Sequence, residues 1–156
     1  MNESELKKFC VELMETAEVL YFTTIDGNGL PYTRAMFNLR NTKYYSSLSK
    51  LFKNHQNDLL VYLATNTSSS KIKQIKQNPN ACVYYCRAVP KDFRGVMLGG
   101  KIEIVTDQKV KEEIWQDWWD RYFPKGVEDE DYAVLRLLPK YAEIYYKLQK
   151  YILNLE

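Results

Sequence analysis

At 156 residues, 46% of them hydrophobic, the chain can bury one proper core and reads as a single domain over 1–156. Its net charge of +2, from 22 basic and 20 acidic residues mixed along the sequence, excludes the one-signed field of a nucleic-acid binder. Cys10, Cys82 and Cys86 are too few and too oddly numbered for a disulfide framework, and neither a secretory leader nor a membrane-length apolar run is legible, so the expected setting is the reducing cytoplasm.

Thirteen tyrosines help to raise the aromatic content to 14%, a composition that favours strands and suits interfaces or flat-ligand pockets. In chain order, residues 3 to 18 form an amphipathic helix with Leu6, Phe9, Cys10, Leu13 and Met14 on one face behind a Ser4 cap. Asp26-Gly27-Asn28-Gly29 then joins two β runs as a hairpin. Residues 42 to 58 hold a short helix near 46 to 54, with Leu48, Leu51 and Phe52 placed to pack over a cleft or to cover a barrel end. A third strand, "LLVYLAT", leads into a helix at 69 to 77 that Asn78-Pro79 stops. Strands follow at "ACVYYC", where Cys82 and Cys86 are expected inward as small hydrophobes, and at "GVMLGGKIEIV", where Gly99-Gly100 marks a bulge or tight bend. Thr106 or Asp107 caps a helix running to Tyr122, and an acidic loop precedes a last strand over 132 to 146, interrupted near Pro139. Several short alternating strands in so small a chain argue for a mainly β, antiparallel barrel with helices packed outside.

The stretch "ATNTSSSK" carries the most chemistry. Thr65, Asn66, Thr67, Ser68, Ser69 and Ser70 precede Lys71 where strand gives way to helix. Unpaired backbone N–H groups, the positive end of the helix dipole, hydroxyl donors and an ammonium together make a cradle for a phosphate. Serine-rich caps are common, so the stretch alone does not separate an anion site from an ordinary cap. Arg34, a guanidinium within the strand "TRAMFN", adds a charge that needs a partner and tips the reading toward the anion.

The ordered set "TTIDGNGLPYTRAMFNL", "ATNTSSSKIKQIKQNPNACVYY", "GGKIEIVTDQKVKEEIW" and "YFPKGVEDEDYAVLRLLPKYAEIYY" resembles the pyridoxamine 5′-phosphate oxidase-like, FMN-binding split-barrel superfamily, and within it the bacterial general-stress flavoproteins. The resemblance implies a six-stranded antiparallel split β-barrel with flanking helices. It also implies a homodimer, with FMN held at the subunit interface. By the same resemblance Arg34 and Lys71 grip the FMN phosphate with Asn66, Ser69 and Ser70. Ala35, Met36, Phe37 and Asn38 run beside the flavin ring, Thr65 ends the next strand, and Tyr145 stands where the oxidases carry a flavin-contacting tryptophan. Departures are equally legible: Ser70 replaces an arginine, Gly95 a glutamine, Leu39 (beside Arg40) a substrate-gripping lysine, and "KLQKYILNLE" lacks the oxidases' substrate-binding arginine and histidine. These argue against pyridoxamine phosphate oxidation while keeping a phosphate-bearing ligand, FMN as the resemblance implies or else a deazaflavin. The expected function is an oxidoreductase acting on a small organic substrate. The alternatives are a flavin-sequestering stress protein without turnover, and a structural dimer that has lost the cofactor.

Other constellations read as structural. His55 is the only histidine, which leaves no metal centre of recognisable spacing and no catalytic triad. Trp115, Trp118, Trp119 and Tyr122 share a predicted helix and read as core or dimer contacts. Residues 128 to 131, "EDED", lack the glycine of a calcium loop and read as solvated.

Overall fold

The first helix, α1 (Glu3–Thr16), is capped by Asn2, two residues before the Ser4 that the sequence suggested. Asn2 accepts from the Glu5 N–H at 2.9 Å while the Glu5 carboxylate accepts from the Asn2 N–H at 2.7 Å, a reciprocal box that satisfies two orphan donors. The computed structural model describes residues 1–156. Strands β1 (Val19–Ile25) and β2 (Pro31–Phe37) pair as a hairpin. Asp26 shapes its turn by accepting from the Asn28 and Leu30 N–H groups at 2.8 and 2.9 Å, with Gly29 at φ +81°. After a short helix α2 (Ser49–Phe52) come β3 (Val61–Asn66), α3 (Ser70–Gln77), β4 (Asn80–Val89), β5 (Asp92–Ile104), α4 (Gln108–Ile114), β6 (Tyr132–Tyr146) and β7 (Gln149–Asn154).

All pairings are antiparallel. The strand order β2-β1-β4-β5-β6-β3 makes a six-stranded half-barrel, and β7 hairpins onto β6 as a seventh strand. In this order β2 and β3 are the outermost strands, and β7, paired with β6 alone, is a further edge. Inward residues Leu20, Phe22, Val83, Tyr85, Val96, Leu98, Leu135 and Ile144 bury against Leu6, Phe9, Cys10 and Met14 of α1, forming the main core. A second core lies beyond β3, where Leu48, Phe52, Tyr62, Ile114, Trp119, Phe123 and Tyr132 meet. No helix is long and apolar enough to cross a membrane.

Four expectations need correction. Cys82 and Cys86 face outward and are half-exposed, because the apolar parity of β4 belongs to Val83 and Tyr85. The last long strand is not interrupted at Pro139. Gly99 pairs with Tyr141 and Gly100 with Pro139, so Lys140 is the extra residue of a bulge and the proline, which has no N–H to give, sits beside it. The helix predicted to reach Tyr122 ends at Ile114. Trp115 and Gln116 run extended before a 3-10 turn at Asp117–Arg121, a break that carries Trp119 into the second core with only 1% exposed. The Gln116 amide covers the break by donating to the Ile114 and Trp115 carbonyls at 3.1 and 3.2 Å. Finally, of the two placements read for residues 42 to 58, the one over the cleft described below is not taken, since none of them lines it. Leu48 and Phe52 are buried in the second core, and Arg40 staples the segment by donating to the His55 and Leu60 carbonyls at 2.7 and 2.8 Å.

The β6–β7 turn was hidden from sequence reading because it uses unfavourable residues. Lys147 and Leu148 hold φ of +49° and +62°, the left-handed region that asparagine and glycine prefer in a two-residue hairpin. Leu148 is 89% exposed, so its side chain offers no packing in return. The double change Lys147→Asn, Leu148→Gly is expected to raise stability by about 1 kcal/mol through relief of backbone strain. A urea midpoint that stays level or falls would show that the turn is not strained.

Candidate functional site

The two outermost strands of the half-barrel face each other across a pocket of about 370 Å³. Ala35, Met36 and Phe37 of β2 form one wall, and Ala64, Thr65 and Asn66 of β3 the other. Lys71, in the first turn of α3, closes one end, and Trp119, Tyr122 and Phe123 contribute a roof. Because β2 ladders with β1 only, backbone N–H and C=O groups along its free edge remain to bond a ligand lying beside the strand. The apolar lining and edge backbone suit a flat ring that carries its own donors and acceptors.

The charged end is defined by what the cations lack. Arg34 donates to the Thr24 hydroxyl at 2.7 Å, the Tyr32 carbonyl at 2.9 Å and the Gln74 side-chain oxygen at 3.1 Å, all neutral acceptors. Neither Arg34 nor Lys71 is in an ion pair, although both are half-buried. Burial lowers the pKa of Arg34, and burial together with the nearby Arg34 charge lowers that of Lys71. Two desolvated like charges without a counter-ion form a site that an anion stabilises. Ser69 adds a third observation. It occupies the cap position of α3 with extended backbone, yet its hydroxyl makes no cap bond, is closed to solvent and has no partner. Ser69 stands two residues before Lys71, and a hydroxyl without a partner at that helix start fits a phosphate group that would bond there.

The other expected residues divide between the pocket and places outside it. Thr65 is buried in the pocket wall, and Ser70 is exposed at the helix start. Asn38 is fully buried, and its amide donates to the Met14 and Ala17 carbonyls at 2.7 and 2.8 Å, tying the end of α1 to the end of β2. The Asn66 amide donates to Asp131 at 3.0 Å. Tyr145 lies outside the cleft altogether. It belongs to the outer face of the sheet, in a shallow depression of about 410 Å³ with Tyr84, Phe93, Gly95 and Met97. There the Tyr84 hydroxyl lies where a side chain at position 95 would stand, and the Tyr141 ring covers Gly99 in the same way. These glycines let two tyrosines lie flat on a face that also exposes Val19, Tyr21 and Phe93.

Trp119, Tyr122 and Phe123 were missed as pocket residues. The aromatic signal was visible in "WQDWWDRYF", but reading it as one continuous helix hid which rings reach the cleft. Phe37 of β2 meets Trp118 edge-on at 5.7 Å and Tyr122 at 6.3 Å, so roof and strand wall touch. His55 is elsewhere, its imidazole 2.9 Å from Asp58.

Residues 33–153 match the family model described as pyridoxamine 5′-phosphate oxidase like. Among solved structures, one similar chain is a Clostridium acetobutylicum protein related to general stress protein 26 of B. subtilis and described as of the pyridoxinephosphate oxidase family. It is 29% identical over 95% of each chain, with a TM-score of 0.73. General stress protein 26 from Bacillus anthracis is 20% identical over 96% of this chain and 99% of that one, TM-score 0.69. A heme binding protein from Mycobacterium smegmatis aligns with 99% of this chain and 59% of its own at 11% identity, TM-score 0.69; these last two likenesses are of fold alone. No curated protein matches the sequence significantly.

Proposed function

The chain belongs to the pyridoxamine 5′-phosphate oxidase-like family, and from that membership we propose that it binds FMN non-covalently in the cleft between β2 and β3. The observation that carries this reading is the pair Arg34 and Lys71, half-buried and without a carboxylate partner; the unpartnered Ser69 hydroxyl belongs to the same helix start as Lys71. A ring attached to that phosphate would lie along the free edge of β2, under Trp119 and Tyr122. Bound there, the flavin supplies the electron-transfer chemistry for a small organic substrate. The chain's own residues hold the phosphate, orient the ring and keep water from it. Lys71 is the only ionisable group in the pocket wall besides Tyr122, which accords with a protein that leaves proton and electron transfer to the cofactor.

A homodimer is part of the proposal. Tyr145 does not line the cleft of its own chain, and the flattened aromatic outer face that carries it suits a second copy, which would bring Tyr145 to the other protomer's flavin. A cytoplasmic setting accords with three unpaired thiols. No feature favours haem, since His55 is not in the pocket wall and its ring bonds Asp58.

The test is titration of the apoprotein with FMN and with riboflavin, joined to sedimentation. Tight FMN binding, weak riboflavin binding and a species of twice 18.5 kDa are the expected results. Equal affinity for the two flavins would remove the phosphate site, and a monomer at micromolar concentration would remove the shared one. Reduction of the bound flavin by NADH or NADPH, with reoxidation by an added acceptor, separates an enzyme from a flavin store.

A further inference from the structure

The acidic loop, read from sequence as solvated, is bonded across the molecule to the loop that starts α3. The Asp131 carboxylate accepts from the Asn66 amide at 3.0 Å, the Thr67 hydroxyl at 2.9 Å and the Ser68 N–H at 2.9 Å. Its backbone carbonyl takes the Thr67 N–H at 2.8 Å, and the Glu130 carbonyl takes the Thr67 hydroxyl at 3.2 Å. On its other side, Asp129 accepts from the Asp131 and Lys125 N–H groups at 3.0 and 3.1 Å. Lys125 stands two residues after Phe123, which belongs to the aromatic roof. One short segment therefore ties the roof and the Asn66–Ser69 turn into a single unit.

We propose that Asp131 is a positioning residue of the anion cradle, holding residues 66–69 so that the Ser69 hydroxyl and the start of α3 meet the same phosphate as Arg34 and Lys71. The proposal rests on the FMN reading above. Asp131 does not itself line the pocket; it acts through the turn, whose peptide and side-chain donors at Asn66, Thr67 and Ser68 it satisfies. Without it, ordering this turn falls to the phosphate itself, and affinity drops by the cost of that ordering. Those donors, the Asn66 amide foremost, hold the Asp131 carboxyl well below the usual carboxylate range. A depressed pKa keeps the carboxylate charged, and the turn held, at every pH above the unfolded value of 3.8, so neutral-pH titrations see it intact.

The electrostatics make the test sharp. Asp131 is a negative charge beside an anion site, so if charge alone mattered its removal would tighten phosphate binding. The experiment compares FMN and riboflavin affinities of wild type, Asp131→Asn, Thr67→Val and Glu130→Gln, with thermal unfolding measured on each. Glu130→Gln removes the same charge from the same loop, and its side chain takes no part in this network. Asp131→Asn should weaken FMN about tenfold, Thr67→Val less, and Glu130→Gln not at all, with riboflavin unmoved throughout. FMN binding that is unchanged or tighter in both Asp131→Asn and Thr67→Val overturns the inference. So does an equal loss for both flavins, which would make Asp131 a fold element. If wild type itself fails to prefer FMN, the reading of the site fails first, and that result is distinct.

Discussion

Arg34→Ala will weaken FMN binding by tens to hundreds of times, a loss on the order of 2 to 4 kcal/mol for a charge-assisted contact removed from a partly desolvated site. The Arg34 guanidinium is already oriented by Thr24, Tyr32 and Gln74, so little side-chain freedom is lost when a phosphate arrives. Lys71 has no such bracing, and its charge is harder to keep because burial and Arg34 both lower its pKa. Lys71→Ala should therefore cost less than Arg34→Ala. Ser69→Ala should cost less again, on the order of 1 kcal/mol for one neutral hydrogen bond. Riboflavin, lacking the phosphate, should bind all four proteins alike. Fluorescence titration measures the series, and equal FMN affinity across folded variants would falsify the cradle. Raising salt should weaken FMN, and not riboflavin, in the wild type.

The second large effect is on stability. Trp119→Ala should destabilise the protein by about 3 to 5 kcal/mol, the cost of emptying a site that a buried indole fills. Trp119 is 1% exposed, with Trp115, Trp118 and Tyr132 centroids at 6.0, 6.0 and 6.1 Å. Its neighbour Trp118 is 43% exposed, and Trp118→Ala should cost no more than about 1 kcal/mol. Trp119→Phe should restore most of the loss, because the indole N–H finds no acceptor in the protein and nothing is forfeited with it. Urea unfolding of the three variants decides the matter. Comparable losses at 118 and 119 would mean that the chain does not break its helix after Ile114.

How much of this was legible depends on the range of the interaction. The Asp26–Gly29 hairpin, the apolar face of α1 and the start of α3 are local patterns, and each lies within a residue or two of its expected place. Arg34 and Lys71 stood out because a guanidinium within a strand and an ammonium at a helix start need partners, whereas Thr65 came only from the family resemblance. The register of β4 was misjudged because Cys82 and Cys86 were weighed as hydrophobes when Val83 and Tyr85, of opposite parity, hold the core. The missed site residues are all non-local. The roof reaches the cleft only after an unexpected helix break. Asp131 meets Thr67 only because β3 pairs with β6, setting Asn66 opposite Tyr132. No window of sequence contains both partners. The seventh strand was lost to a different cause, a turn whose residues contradict its geometry.

The half-barrel closes its cleft with its two outermost strands, and this has a bearing on the order in which the chain acquires structure. Strands β4 to β7 form a meander of consecutive neighbours, Tyr84 against Met97, Met97 against Glu143, Glu143 against Ile152, though the roof segment must be looped out between β5 and β6. β1 and β2 make a hairpin of their own. β3 has no neighbour in sequence to pair with and must find β6 across the whole central part of the chain, Val61 with Leu137. Long loop closure is the slow and costly step in such topologies. Two such closures are needed, β1 with β4 and β3 with β6, and the wall that carries Thr65 and leads into Lys71 depends on the second, so amide exchange at β3 should slow when the cleft is filled. Whatever molecule spans from β2 to α3 joins the segments that these two closures bring in separately, and the protein's longest-range associations then become its most ligand-sensitive ones.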